Sequence, residues 1–163
     1  MRAFADDGLE IVMVRAFNHT GPRQPPSFVA PSMARQIALI ERGLAAPAIR
    51  VGNLDARRDF TDVRDVVRAY VALMKLGQPG EIYNVGSGVA RSIQSLLDAL
   101  LSRSRVHVRV ELDAERLRPT ETSSVVADTS RLRNRTGWEP RITYDSMLDS
   151  LLAFWRGEVG AQT

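Results

Sequence analysis

The chain has 163 residues, enough for one domain with a real core, and its 44% hydrophobic and 25% charged residues are those of an ordinary globular chain rather than a disordered or fibrous one. Lys+Arg of 22 against Asp+Glu of 19 leaves a net charge of +3, which implies neither a nucleic-acid nor a membrane partner without a clustered basic face; every basic residue but Lys75 is an arginine, a forked donor suited to phosphate. Cysteine is absent, which excludes disulfides, thiolate chemistry and cysteine-ligated zinc, while the lack of a ~18-residue apolar run or a signal-peptide pattern makes a cytoplasmic location the expectation.

Ile11-Val12-Met13-Val14 is a nearly continuous apolar run, the pattern of a strand covered on both faces in a parallel sheet. Lying so near Met1, it is expected to need sheet neighbours that this chain does not supply. Residues 18–27 read as loop because Gly21, Pro22, Pro25 and Pro26 disfavour helix; a helix follows from about Pro31 to Arg42, then a short strand from Ala48 to Val51. Val63, Val66, Val67, Tyr70, Val71 and Met74 make one apolar stripe on a helix that opens near Asp62 and stops before Gly77, with Tyr70 expected in the core. Glu81 to Val85 reads as a strand, Gly86 to Gly88 as a turn, and Ile93, Leu96, Leu97, Leu100 and Leu101 as the stripe of a helix capped by Ser92. Val106, Val108 and Val110 alternate with polar residues, as in a half-exposed strand. Asp113 to Val126 is irregular, a short helix from Ser130 to Arg135 ends at Gly137, and Tyr144, Met147, Leu148, Leu151, Leu152 and Trp155 form a last stripe, with fraying expected from Gly157. Strands alternating with helices, without an internal repeat, define an α/β layer structure.

Gly86-Ser87-Gly88-Val89-Ala90-Arg91 mimics a dinucleotide fingerprint, but its third glycine position holds Arg91, which would fill the space needed for close helix packing; a strand-to-helix turn is the better reading. Tyr70 and Lys75 are five apart rather than the four that would let an ammonium help stabilise a phenolate. His19 and His107 are isolated, which supports neither a Ser-His-Asp arrangement nor a metal site. Binding groups are better sought in three polar segments, residues 15–24, 52–62 and 116–121, each carrying arginine. An arginine fork matches the paired oxygens of a diphosphate and a carboxylate accepts from a ribose diol, so Arg118 with Glu121 suits a nucleotide diphosphate; surface ion pairing and turn formation explain the same residues.

At those segments the chain resembles the extended short-chain dehydrogenase/reductases of the NAD-dependent epimerase/dehydratase family that act on GDP-sugars. RAFNHTGPRQ, VGNLDARRDFTDVRDVVRAYVAL, EIYNVGSG, LRPTE and TGWEP occur in the family's order over roughly residues 8–156. The resemblance implies that residues 1–163 are a carboxy-terminal nucleotide-sugar-binding part: the last strands of a Rossmann sheet plus a small α/β substrate domain, without the amino-terminal half that carries the glycine-rich cofactor loop and the Tyr-Lys pair. It further implies substrate contacts at Asn18, Arg58, Arg118 and Glu121, cofactor contacts at His19 and more weakly Arg23, no catalytic residue in this chain, NAD(P) held mainly by the other half, and a homodimer or tetramer for the whole enzyme. Phe28-Val29-Ala30-Pro31-Ser32 and Asp59-Phe60-Thr61-Asp62-Val63 differ from the words usual in the 4,6-dehydratase branch and favour the branch that reduces the 4-keto group; a non-catalytic nucleotide-sugar-binding module remains the other alternative.

Overall fold

The computed structural model describes residues 8–116 and 124–161, so Arg118 and Glu121 lie outside the described residues. In chain order the elements are β1 (Met13–Ala16), β2 (His19–Thr20), α1 (Val29–Glu41), β3 (Ala48–Val51), β4 (Arg57–Asp59), β5 (Thr61–Asp62), α2 (Val63–Leu76), β6 (Ile82–Val85), β7 (Ala90–Ser92), α3 (Ile93–Leu101), β8 (Arg109–Leu112), a 3-10 turn (Ala114–Arg116), β9 (Ser124–Val125), α4 (Ser130–Thr136) and α5 (Tyr144–Ala161). The expected α/β class holds, built from small ladders rather than one broad sheet. β1 runs parallel to β6, β2 to β5 and β3 to β8, while β4 lies between antiparallel β7 and parallel β9.

Helix ends follow local chemistry. Pro31 is tolerated because it falls in the first turn of α1, where its missing N–H has no intrahelical partner, and Gly43 takes a φ of 69° just past the other end. Asp62 caps α2 by accepting from the Arg64 N–H at 2.8 Å, and Ser92 caps α3 by accepting from the Ser95 N–H at 3.0 Å. Gly137, at φ 67°, stops α4.

The apolar faces form two clusters. In the first, Ile37, Ala34 and Met33 of α1 meet Leu96, Leu97 and Leu100 of α3 and Leu148, Leu151 and Leu152 of α5 over Ile49 and Val51 of β3. The second joins Val66, Ala69 and Leu73 of α2 to Tyr83 and Val85 of β6, Leu132 of α4 and Trp138, with Val12, Val14 and Ala16 packed on it partly buried.

Several expectations need correction. α2 buries Val66, Ala69 and Leu73, whereas Val67, Tyr70, Val71 and Met74 are exposed, so Tyr70 is not a core residue. The helix has apolar residues on more than one face, and periodicity could not say which face meets this chain. α5 does not fray at Gly157: it continues to Ala161 because Val159 reaches the first cluster and is buried there. The strand read from Val106 begins at Arg109 and is exposed throughout, being hydrogen-bonded to β3 alone among the described residues. Five strands of two or three residues, β2, β4, β5, β7 and β9, fall where the sequence reads as loop or turn, because segments such as Arg57-Arg58-Asp59 carry no apolar alternation.

Candidate functional site

Short ladders draw distant polar segments together. Phe17 N–H donates to Val85 O at 2.8 Å, Thr61 N–H donates to Asn18 O at 3.0 Å, and His19 pairs in register with Thr61. The segment at residues 17–20 is thereby held between β6 and the strand that follows Arg58. Arg58 in turn pairs with Arg91 on one side and Val125 on the other.

Beside these ladders an open cleft of about 480 Å³ is lined by Arg15, Ala16, Phe17, Asn18, His19, Gln24, Phe28 and Val125. Asn18 and His19, both anticipated, therefore share one wall, with Val125, the register partner of Arg58, also lining it. Arg58 itself is not among the lining residues; its Nη1 donates to Arg57 O at 2.7 Å. Arg23 is exposed, off the cleft wall, and carries a φ of 71°, rare for a residue with a side chain. His19 Nδ1 donates to Phe17 O at 2.9 Å, which puts a proton on Nδ1 and fixes the ring against its own loop. Phe17 and Gln24 belong to the polar segment 15–24 singled out from the sequence but were not named individually, and Phe28 lies beyond that segment.

The segment bearing Arg118 and Glu121 lies between two described anchors. On one side Arg116 packs over Gly52, where an added Cβ would come within 2.3 Å of Arg116 O, and its Nη1 reaches Ser32 Oγ at 3.3 Å. On the other, Ser124 and Val125 pair with Arg57 and Arg58.

One residue that sequence reasoning did not single out is the neighbour of Arg58 on β4. Asp59 is fully buried; its Oδ1 accepts from Ser87 N–H at 2.8 Å and Ser87 Oγ–H at 2.5 Å, and its Oδ2 accepts from Gly88 N–H at 2.9 Å and Ala127 N–H at 3.1 Å. The turn that mimicked a dinucleotide fingerprint thus has its Ser87 and Gly88 N–H groups occupied by a carboxylate of the same chain.

A smaller cavity of about 210 Å³ lies between β5 and the start of α5, lined by Thr61, Ser87, Arg91, Arg141, Tyr144 and neighbours. Arg91 stacks 4.1 Å above the Tyr144 ring, and burial pushes the phenol up to about 12 against the pull of that guanidinium. A phenol so shifted stays protonated at neutral pH and is no proton acceptor there.

The family model for GDP-mannose 4,6 dehydratase matches residues 2–151. The chain belongs to that family. Within it, the chain is 40% identical over 153 residues to the GDP-6-deoxy-D-mannose reductase of Pseudomonas aeruginosa, covering 94% of this chain and 50% of that protein. It is 26% identical to the GDP-mannose 4,6 dehydratase of Cricetulus griseus, covering 83% of this chain and 41% of the other. The solved structure of RMD from Pseudomonas aeruginosa complexed with NADPH matches with a TM-score of 0.90 at 38% identity, over 96% of this chain and 52% of that one. The UDP-glucose 4-epimerase of Thermotoga maritima shares the fold, with a TM-score of 0.79 at 24% identity over 96% of this chain and 49% of its own. The chain therefore spans about half the length of the curated relatives it matches. Among the described residues, no helix is long and apolar enough to cross a membrane and no cluster of His, Asp and Glu could hold a metal ion.

Proposed function

We propose that this chain is the nucleotide-sugar-holding part of a GDP-4-dehydro-6-deoxy-D-mannose reductase, an NAD(P)H-dependent enzyme that reduces the 4-keto group to give GDP-D-rhamnose. An amino-terminal half brings the glycine-rich loop and the Tyr-Lys pair, seated against the edge of β1 that is unpaired among the described residues and against the exposed apolar side of α2. The assembled enzyme is a homodimer or tetramer in this reading. What carries it is the juxtaposition of Asn18 and His19 with the strand of Arg58 and with one end of the segment bearing Arg118 and Glu121. Support also comes from the identity to the Pseudomonas aeruginosa reductase, 40% against 26% for the Cricetulus griseus dehydratase.

The nicotinamide, when bound, supplies the hydride. This chain does not offer a pyrophosphate cradle at the Gly86–Gly88 turn, because Asp59 already takes the N–H groups of Ser87 and Gly88. Its share is orientation: Asn18 and Arg58 hold the sugar diphosphate, Arg118 forks onto the diphosphate, Glu121 accepts from the ribose, and His19 with Arg23 borders the cofactor. Fixing a substrate in this way lowers the barrier without any bond being made by these groups.

Calorimetric titration of the 163-residue chain tests the reading: GDP and GDP-mannose bind and UDP-glucose does not. Because a hydrogen bond to a charged group is worth about 1.5–3 kcal/mol, Arg118→Ala weakens GDP-mannose binding roughly ten- to a hundredfold while leaving the fold intact. Failure of both guanine ligands to bind the parent chain overturns the assignment. The chain alone shows no turnover; joined to its amino-terminal half it consumes NAD(P)H with the 4-keto sugar. The family-model match and the dehydratase relatives keep one alternative in view, a GDP-mannose 4,6-dehydratase, and conversion of GDP-mannose to the 4-keto sugar without added NAD(P)H would select it.

A further inference from the structure

We infer that Asp59 is a positioning residue of the nucleotide-sugar site, a buried carboxylate that occupies a backbone anion nest and through it sets Arg58 of β4 against Val125 of the cleft wall. This inference rests on the nucleotide-sugar reading above. Successive N–H groups converging on one point form an anion-binding concavity, the device that cradles phosphate in nucleotide-binding loops. Here the N–H groups of Ser87 and Gly88 converge on the two oxygens of one internal carboxylate, at 2.8 and 2.9 Å. Ser87 Oγ–H and Ala127 N–H bring the number of donors to four. Gly86 makes the approach possible: a Cβ there would meet Asp59 Oδ2 at 2.6 Å and the Ala127 Cβ at 2.5 Å. Gly88 adopts a φ of 78°, a turn conformation that a side chain strains.

The consequence for the site follows from what the nest connects. Arg58 is the next residue on the same strand, β4. Ala127 lies two residues beyond Val125, which pairs with Arg58 and lines the cleft with Asn18 and His19. One carboxylate thus ties the strand of Arg58 to the segment of Val125 on the cleft wall, and both to the turn after β6. All four contacts are donors, so an asparagine of the same shape must point its NH2 at one or two of them and leave them unpaired.

The test uses the 163-residue chain with GDP-mannose as the probe and compares Asp59→Asn, Arg58→Ala and the double variant. Asp59→Asn is expected to weaken binding roughly tenfold with little change in far-UV circular dichroism, and amide exchange at Gly88 and Ala127 should accelerate. The loss should shrink to less than about threefold once Arg58 is already alanine, because the carboxylate acts through it. A residue that only supports the fold gives additive losses, and additive losses or parent-like binding overturn the inference. If Asp59→Asn does not fold, Ser87→Ala removes one donor of the four, and the same shrinkage, from roughly threefold toward none, decides the matter. Should the parent chain bind no guanine ligand, the nucleotide reading fails on its own; exchange at Gly88 and Ala127 still tests the nest, and unchanged protection in Asp59→Asn overturns it.

Discussion

The two apolar clusters are built from similar residues and end in opposite conditions. Around α1, α3 and α5 every long apolar stripe finds a partner within the chain, down to Val159 at the far end of α5. Around β1, β6 and α2 one side alone is closed by the described residues: Leu73 is buried while Met74, the next residue, is 86% exposed. An apolar cleft of about 600 Å³, lined by Val12, Val14, Tyr70, Leu73 and Met74 among others, opens on that side. The contrast separates what an amphipathic pattern encodes, an apolar face, from what it leaves unspecified, the identity of the surface it meets.

The largest effect that should sharpen this contrast is Leu151→Ala. It empties a fully buried position in the closed cluster and should cost about 2–5 kcal/mol, lowering the midpoint of thermal unfolding by several degrees. A change below about 1 kcal/mol would show the first cluster to be as loosely held as the second. Next comes Glu41, which accepts from Arg156 Nε and Nη2 at 2.7 Å each and so bolts α1 to α5. These bonds hold its carboxyl below the usual glutamate range. Its contribution is therefore present above the ordinary carboxylate pKa and is lost as pH falls through the lowered folded value. Glu41→Gln should cost about 1–2 kcal/mol at pH 7, and chemical denaturation repeated at successively lower pH, below the ordinary carboxylate range, should find that difference shrinking. A gap that persists in acid would place the effect in packing rather than charge. The smallest effect belongs to the open side: Met74→Gln should change stability by no more than about 0.5 kcal/mol in this chain, and a larger loss would mean that the exposed face is already covered in solution.

How much of this was readable follows from the same distinction. The helices of the closed cluster were legible because Leu96, Leu97 and Leu100, or Leu148, Leu151 and Leu152, repeat at helical spacing and meet one another. The caps at Asp62 and Ser92 were legible because cap chemistry is local. Strands such as His19–Thr20 and Thr61–Asp62 were not, since their pairing is a property of backbone brought together over some forty residues of sequence. Asn18 and His19, singled out through their motif word, share a cleft wall. Asp59 was missed because an aspartate between an arginine and a phenylalanine resembles a surface residue until the partners of its oxygens are known. The glycine turn had offered the clue: two glycines around a serine leave N–H groups that need an acceptor, and the sequence does not say whether the anion is bound or built in.

β1 has a hydrogen-bonded neighbour on one side alone among the described residues, and its ladder with β6 is parallel. Rotational symmetry then discriminates between ways of finishing that edge. Two copies related by a dyad perpendicular to the sheet bring their β1 strands together head to tail, reversing the sense of the ladder. Continuing the ladder in the same sense with identical copies is a heterologous contact, which closes into a ring only where the rotation per copy divides the circle and otherwise runs on as a filament. An assembly that is neither ring nor filament and keeps the strands codirectional therefore calls for a strand of different sequence at that edge.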